Sequence, residues 1–256
     1  MKRKHTDILV IVIIGVLFVA SVYIFPLIKE WMYTVSHNTN LLQVSDYGFD
    51  LRKLTLEHIE MSVIAVIGTI LIGLPLGVFA TTKIGKQFEP LIVKLTSISK
   101  ALPAIGVLAV LIPLLGYGIK SAAVALLFCG VMPIIFNTIS GLENVPDYLV
   151  EVGEAMGMKN SQVFFKIKLP LSFPVLMAGI RASSIIVIGC ATLAAMAGAG
   201  GLGTLVYAAG VRGFDPIMLL QGALPICLFA LFVDRLLGYL ENRLKEKYAV
   251  INPSDV

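Results

Sequence analysis

The sequence predicts an all-α polytopic membrane protein of about six transmembrane helices, and three observations carry that class. Of its 256 residues, 57% are apolar and 14% charged, against roughly 45–50% and about 25% in a soluble domain. The apolar residues form runs near 8–25, 59–80, 91–115, 121–140, 175–197 and 217–238, each close to the roughly 20 helical residues that cross a bilayer. Prolines 75, 103, 113, 133 and 225 lie inside these runs, where a water-exposed helix would lose about 3 kcal/mol each; a membrane bundle tolerates such breaks. Three cysteines in so long a chain exclude a disulfide scaffold.

Taken in order, the first run follows Lys2, Arg3, Lys4 and His5 and is too long for a signal-peptide core, so it reads as a retained anchor. Residues 26–56 form an outer loop, in which Trp31, Met32 and Tyr33 mark an interfacial belt or a surface receiving an external protein. In the second run, Gly73 and Gly77 make a small-xxx-small pair suited to close helix approach. Glu57, Glu60 and Lys100 are the charges nearest to membrane depth, and they read as interfacial or snorkelling side chains. The lack of charge in mid-span argues against an ion-coupled secondary transporter.

Placing the basic start in the cytoplasm puts thirteen Lys and Arg inside: 2, 3, 4, 83, 86, 94, 159, 166, 168, 235, 243, 245 and 247. Five (29, 52, 53, 120 and 212) fall outside, with Lys100 and Arg181 at span ends. The positive-inside rule therefore sets both termini in the cytoplasm.

Between the fourth and fifth runs lies an inner loop, 141–173, that reads as two short helices. Pro146 and Asp147 suit a helix start and Gly157 a left-handed stop, giving one helix over about 146–156. Asp147, Glu151 and Glu154 form an acidic stripe on it, with Leu149, Val152 and Met156 on another side. Ser161 is expected to cap a second piece carrying Val163, Phe164 and Ile167, ended by Leu169 and Pro170. A loop showing apolar and acidic sides to the cytoplasm is a docking element for a soluble partner.

Several chemistries are absent. No GxxxxGK(S/T) loop occurs, so any ATP is hydrolysed by another subunit. The run GAGGLG, with Gly198, Gly200, Gly201 and Gly203, matches GxGxxG but follows a membrane span, so it reads as a bend or gate and not as a dinucleotide site. The histidines, His5, His37 and His58, lie in a tail, an outer loop and a span edge, and Cys129, Cys190 and Cys227 read as small packing residues. No catalytic constellation, metal site or cofactor is expected, and nothing points to nucleic acid.

One motif is more specific. Glu151-Val152-Gly153, Gly157 four positions later, and Ile167-x-Leu169-Pro170 beginning ten after Gly157 resemble the EAA signature of ABC importer permeases, with Val152 and Gly153 where that family commonly has alanines. The resemblance runs from the second span to the sixth and is closest to permeases of osmoprotectant importers for glycine betaine, carnitine or choline, through KALPAIGVLAVLIPLLGYG (100–118), MPIIFNTISGLENVP (132–146), LPLSFPVLMAGIRAS (169–183) and AGAGGLGTLVYAAG (197–210). It implies a type I ABC importer permease (MetI-like) fold in a bacterial cytoplasmic membrane. The expected divisions are 1–57 (anchor and outer loop), 58–240 (permease core) and 241–256 (cytoplasmic tail). The implied partners are ABC ATPase subunits, an extracytoplasmic solute-binding protein or lipoprotein, and a second permease copy or paralogue. Glu151, Val152, Gly153, Gly157, Ile167, Leu169 and Pro170 would form the ATPase-docking loop. The alternatives are an importer for another solute, such as methionine or a sulfonate, and an ATP-independent channel or secondary transporter.

Overall fold

The computed structural model describes residues 2–35, 48–211 and 214–248, and among these there is no β-strand. Five helical stretches are long and apolar enough to cross a membrane: Thr6–Val35, Leu51–Ala80, Ile119–Glu143, Asn160–Ala197 and Pro216–Tyr248. The first lies within α1 (Lys2–Val35), which runs past Pro26 and so takes up much of the expected outer loop. Helix α2 (Leu51–Ala80) opens on Asp50, whose carboxylate accepts from the Arg52 and Lys53 backbone N–H groups at 2.9 and 3.4 Å. That cap starts the helix well before residue 59, and the expected boundary at 57 falls inside it.

The third expected span, 91–115, is two helices, α3 (Glu89–Ala101) and α4 (Ala104–Leu115). Leu102 stands at φ −84°, ψ 119° between them, because the ring of Pro103 excludes the helical conformation from the residue before it. The two pieces share one partner, α5 (Ile119–Glu143): Ile92 and Val93 of α3 pack with Ile135 and Ile139, while Leu108 of α4 packs with Ala122 and Ala125. Their sum covers the length of one span. Lys100, whose side chain lies outside the described residues, sits next to this break, while His37 and Arg212 lie outside the described residues altogether.

Small residues set the centre of the bundle. A Cβ on Gly73 or Gly77 of α2 would stand 2.9 Å from Ile134 or 2.6 Å from Thr138 of α5. Gly179 of α8 (Leu169–Cys190) meets Asn137 and the Pro133 carbonyl of α5 in the same way. In lipid there is no gain from hiding apolar surface from water, so this backbone proximity supplies the dispersion energy that holds the helices together. Of these helix-to-helix contacts Gly130 is the tightest, with a Cβ position 2.5 Å from Val187 and 2.9 Å from both Ser183 and Thr69. Gly130→Leu should therefore cost more than about 3 kcal/mol by overpacking and collapse the monodisperse fraction in detergent. Gly106→Ala, with nothing nearer than 3.9 Å, should leave it unchanged.

The remaining elements are α6 (Asp147–Ala155), the short α7 (Asn160–Val163), α9 (Gly203–Val211) and α10 (Pro216–Tyr248). Helix α10 is capped by Asp215, which accepts from the N–H groups of Ile217 and Met218 at 3.0 Å each and also takes the Tyr33 hydroxyl hydrogen. Tyr33 is thus buried as a tie between α1 and α10, and does not join the exposed Trp31 in an interfacial belt.

Candidate functional site

The loop between α5 and α8 folds as a clip. Helix α5 stops at Asn144, whose side-chain amide donates to the Ser140 carbonyl at 2.7 Å. Val145 is buried, and α6 begins after Pro146. Gly157 closes α6 at φ +79°, while the Met158 N–H donates to the Gly153 carbonyl at 3.1 Å. This left-handed stop turns the chain back on itself. The next helix starts at Lys159, whose N–H donates to the side chain of Gln162 at 2.9 Å; Ser161 is not its cap, since a side chain three residues on already fills that role.

Nor do Leu169 and Pro170 end this helix. Phe164–Lys168 form a π-helical turn that runs directly into α8. Pro170 has no N–H to donate and would clash in a regular α-turn; the wider turn and its place in the first turn of α8 accommodate it. The result is one helical run, Asn160–Ala197, of 38 residues.

The expected docking residues separate into two groups. Glu151 and Val152 are exposed, as is the turn at Gly157. Gly153 instead faces inward, and a Cβ there would stand 2.7 Å from Ile167 Cδ1 and 3.3 Å from Met158 Sδ. Ile167, Leu169 and Pro170 are half-buried in the helical junction. The outward face is a stripe of Tyr148, Val152 and Met156, exposed by 46%, 52% and 68%, flanked by Glu151 and Glu154. Tyr148 escapes a reading of the sequence that puts Leu149 on the apolar side. A spacing of four through 148, 152 and 156 was the available signal.

Beside the clip lies a cavity of about 850 Å³ lined by Thr81, Lys86, Glu143, Asp147, Glu154 and Lys168, among others. Lys86 bonds to Glu143 and lies 3.1 Å from Glu89. These carboxylates, Glu143 first, hold its ammonium above the usual lysine range, so the α2–α3 loop is pinned to the end of α5.

The other end of the 160–197 run reaches the glycine-rich segment. Helix α8 tightens into a 3₁₀ turn over Ala191–Ala197, and Gly198, Gly200 and Gly201 follow at φ +71°, +84° and +78°. The Gly201 N–H donates to Glu57 Oε2 at 3.0 Å. His58, expected at a span edge, is fully buried beside Gly201. A second polar cluster joins α8 to α10: Arg181 Nε donates to Asp234 at 2.7 Å and its Nη1 to Glu241 at 3.2 Å. Charges of opposite sign inside two apolar runs were the signal for it. The three cysteines are free thiols.

The family model for the binding-protein-dependent transport system inner membrane component matches residues 73–246. The chain belongs to that family. It is 40% identical to the choline transport system permease protein OpuBB of Bacillus subtilis (strain 168), over 81% of this chain and 94% of that one. It is 38% identical to the glycine betaine/carnitine/choline transport system permease protein OpuCB of the same organism, over 78% and 91%. Against the osmoprotectant import permease protein OsmW of Salmonella typhimurium it is 35% identical over 77% and 93%. Among solved structures, a chain of the MetNI methionine ABC transporter in inward-facing conformations superposes with TM-score 0.68 over 75% of this chain and 94% of that one, at 22% identity. The fold is therefore MetI-like, and the chain is a multi-pass permease component of a binding-protein-dependent importer. Its relatives are transport permeases and not enzymes.

Proposed function

We propose that this permease conducts quaternary ammonium osmoprotectants, the class of glycine betaine, carnitine and choline, across a bacterial cytoplasmic membrane, driven by ATP hydrolysed on separate ABC ATPase subunits. Identity of 33–40% to permeases named for those solutes, over most of both chains, is the observation that carries this reading. An external solute-binding protein or lipoprotein delivers the solute, and a second copy or paralogue completes the path. Both termini lie in the cytoplasm, which puts the clip on the side where ATP is. Closure of the ATPase dimer draws the two clips together; each moves its α8 as a rod and switches the cavity between packings. Glu151, Val152 and the Gly157 turn belong to the contact, whereas Gly153, Ile167, Leu169 and Pro170 keep the clip in shape.

The test is purification of the complex, reconstitution into proteoliposomes and uptake of labelled glycine betaine, carnitine, choline and methionine with ATP in the lumen facing the ATPase. ATP-dependent uptake of a quaternary ammonium solute is expected; uptake of methionine alone, or uptake without ATP, would overturn the assignment. In intact cells a Lys159→Cys variant should resist impermeant maleimide, and labelling from outside would invert the topology.

A further inference from the structure

The glycine turn 198–202 is held from three directions. At its base, the Ala199 N–H donates to the Ala194 carbonyl at 3.1 Å, and a Cβ on Gly203 would stand 2.0 Å from the Thr192 carbonyl oxygen. At its flank, the Gly118 N–H donates to the Ala197 carbonyl at 2.5 Å, tying in the loop between α4 and α5. Towards α2 the tie is Glu57. Its Oε2 takes the Gly201 N–H, and a Cβ on Gly200 would stand 2.4 Å from that same oxygen. Gly200 and Gly201 are thus glycine for two reasons, left-handed φ and the close seating of a carboxylate on bare backbone. Glu57 itself is one-third exposed, with Lys53 at 4.0 Å as its competing partner.

The position of this turn makes the contact more than a local cap. It closes the helical run that starts in the clip, and 38 residues at about 1.5 Å each place the two some 57 Å apart. Rotation of that rod about the packed centre of the bundle displaces its ends most. Resting on the importer reading above, we infer that Glu57 is a positioning residue of the transport cycle: its carboxylate holds the turn 198–202 against α2, keeps the end of the bundle remote from the ATPase closed, and lets go when that end opens. A charge-assisted hydrogen bond at a water edge suits the task, strong enough to bias a two-state equilibrium and weak enough to release.

The experiment uses the complete complex with its ATPase and binding protein, comparing hydrolysis with and without the binding protein. Glu57→Ala should raise the unstimulated rate about tenfold, as the loss of one charge-assisted bond implies, leave the stimulated rate near wild type, and so erase most of the stimulation. Glu57→Gln, which keeps an acceptor oxygen, should give a smaller rise. Gly200→Ala should act partly by pushing the carboxylate off, so its effect should shrink in the Glu57→Ala background. An unchanged stimulation ratio in both Glu57 variants, or a Gly200→Ala effect of equal size in either background, would reduce Glu57 to a static cap and overturn the inference. Absence of binding-protein stimulation in the wild-type complex would instead overturn the importer reading. Should Glu57→Ala not assemble, the same two criteria are read from the stimulation ratio of Glu57→Gln and from the Gly200→Ala effect in the Glu57→Gln background.

Discussion

A double substitution, Val152→Glu with Met156→Glu, is expected to separate the permease from its ATPase without disturbing the membrane bundle. Both side chains lie on the outward face of α6, more than half exposed, so no internal contact is lost and the midpoint of thermal unfolding in detergent should not move. Once a partner covers this stripe, each new carboxylate must either be desolvated without a cation or hold the surfaces apart. Central apolar anchors of this kind dominate the energy of an interface. A loss of at least about 3 kcal/mol, or a hundredfold in affinity, is expected. Copurification of the ATPase and ATP-driven uptake should both disappear, and normal uptake would show that the partner grips elsewhere. Gly153→Ala is the contrasting case. Its new methyl meets the far end of the flexible Ile167 side chain, while the helix gains about 1 kcal/mol in propensity. Docking should survive it, which a glycine inserted into the partner's groove would not predict.

Much of this architecture was legible in the residues, and each exception has a physical cause. Hydropathy averages over about 19 positions, so the apolar run 91–115 hides the kink that Pro103 forces at Leu102. Pro170 misleads through a local rule instead: a proline normally announces a helix end, and a π-helical turn that absorbs it leaves no trace in composition. Glu151 and the Gly157 turn follow from local spacing, since capping and periodicity act within a few residues. Glu57 with Gly201, Tyr33 with Asp215 and Arg181 with Asp234 are separated by 144, 182 and 53 positions. No local rule joins them; a polar group in or beside an apolar run only announces that some partner must exist.

Arg181→Leu should give the second large effect, on stability and on transport together. The guanidinium lies over Gly238, where a Cβ would stand 3.1 Å from Cζ, and reaches Asp234 on one side and Glu241 on the other. Leucine would leave both carboxylates facing the α8–α10 seam, with Arg235 at 4.0 Å from Asp234 and Lys245 at 2.6 Å from Glu241 as their remaining cations. Breaking a fully buried pair costs about 3–5 kcal/mol. Arg181 is one-third exposed and Glu241 keeps Lys245, so about 2 kcal/mol is expected, read as a lower unfolding midpoint. Arg181→Lys should fall between, because an ammonium keeps the charge but lacks the rigid planar fork that sets separate nitrogens on Asp234 and Glu241. Adding Asp234→Asn to Arg181→Leu should recover part of the stability, since the penalty comes from the orphaned charge. Uptake should not recover with it: α8 carries the displacement of the clip, and with the guanidinium gone the charge fork that locks α8 to α10 is lost. Full recovery of uptake in that double variant would mean that apolar packing alone transmits the motion between the two helices.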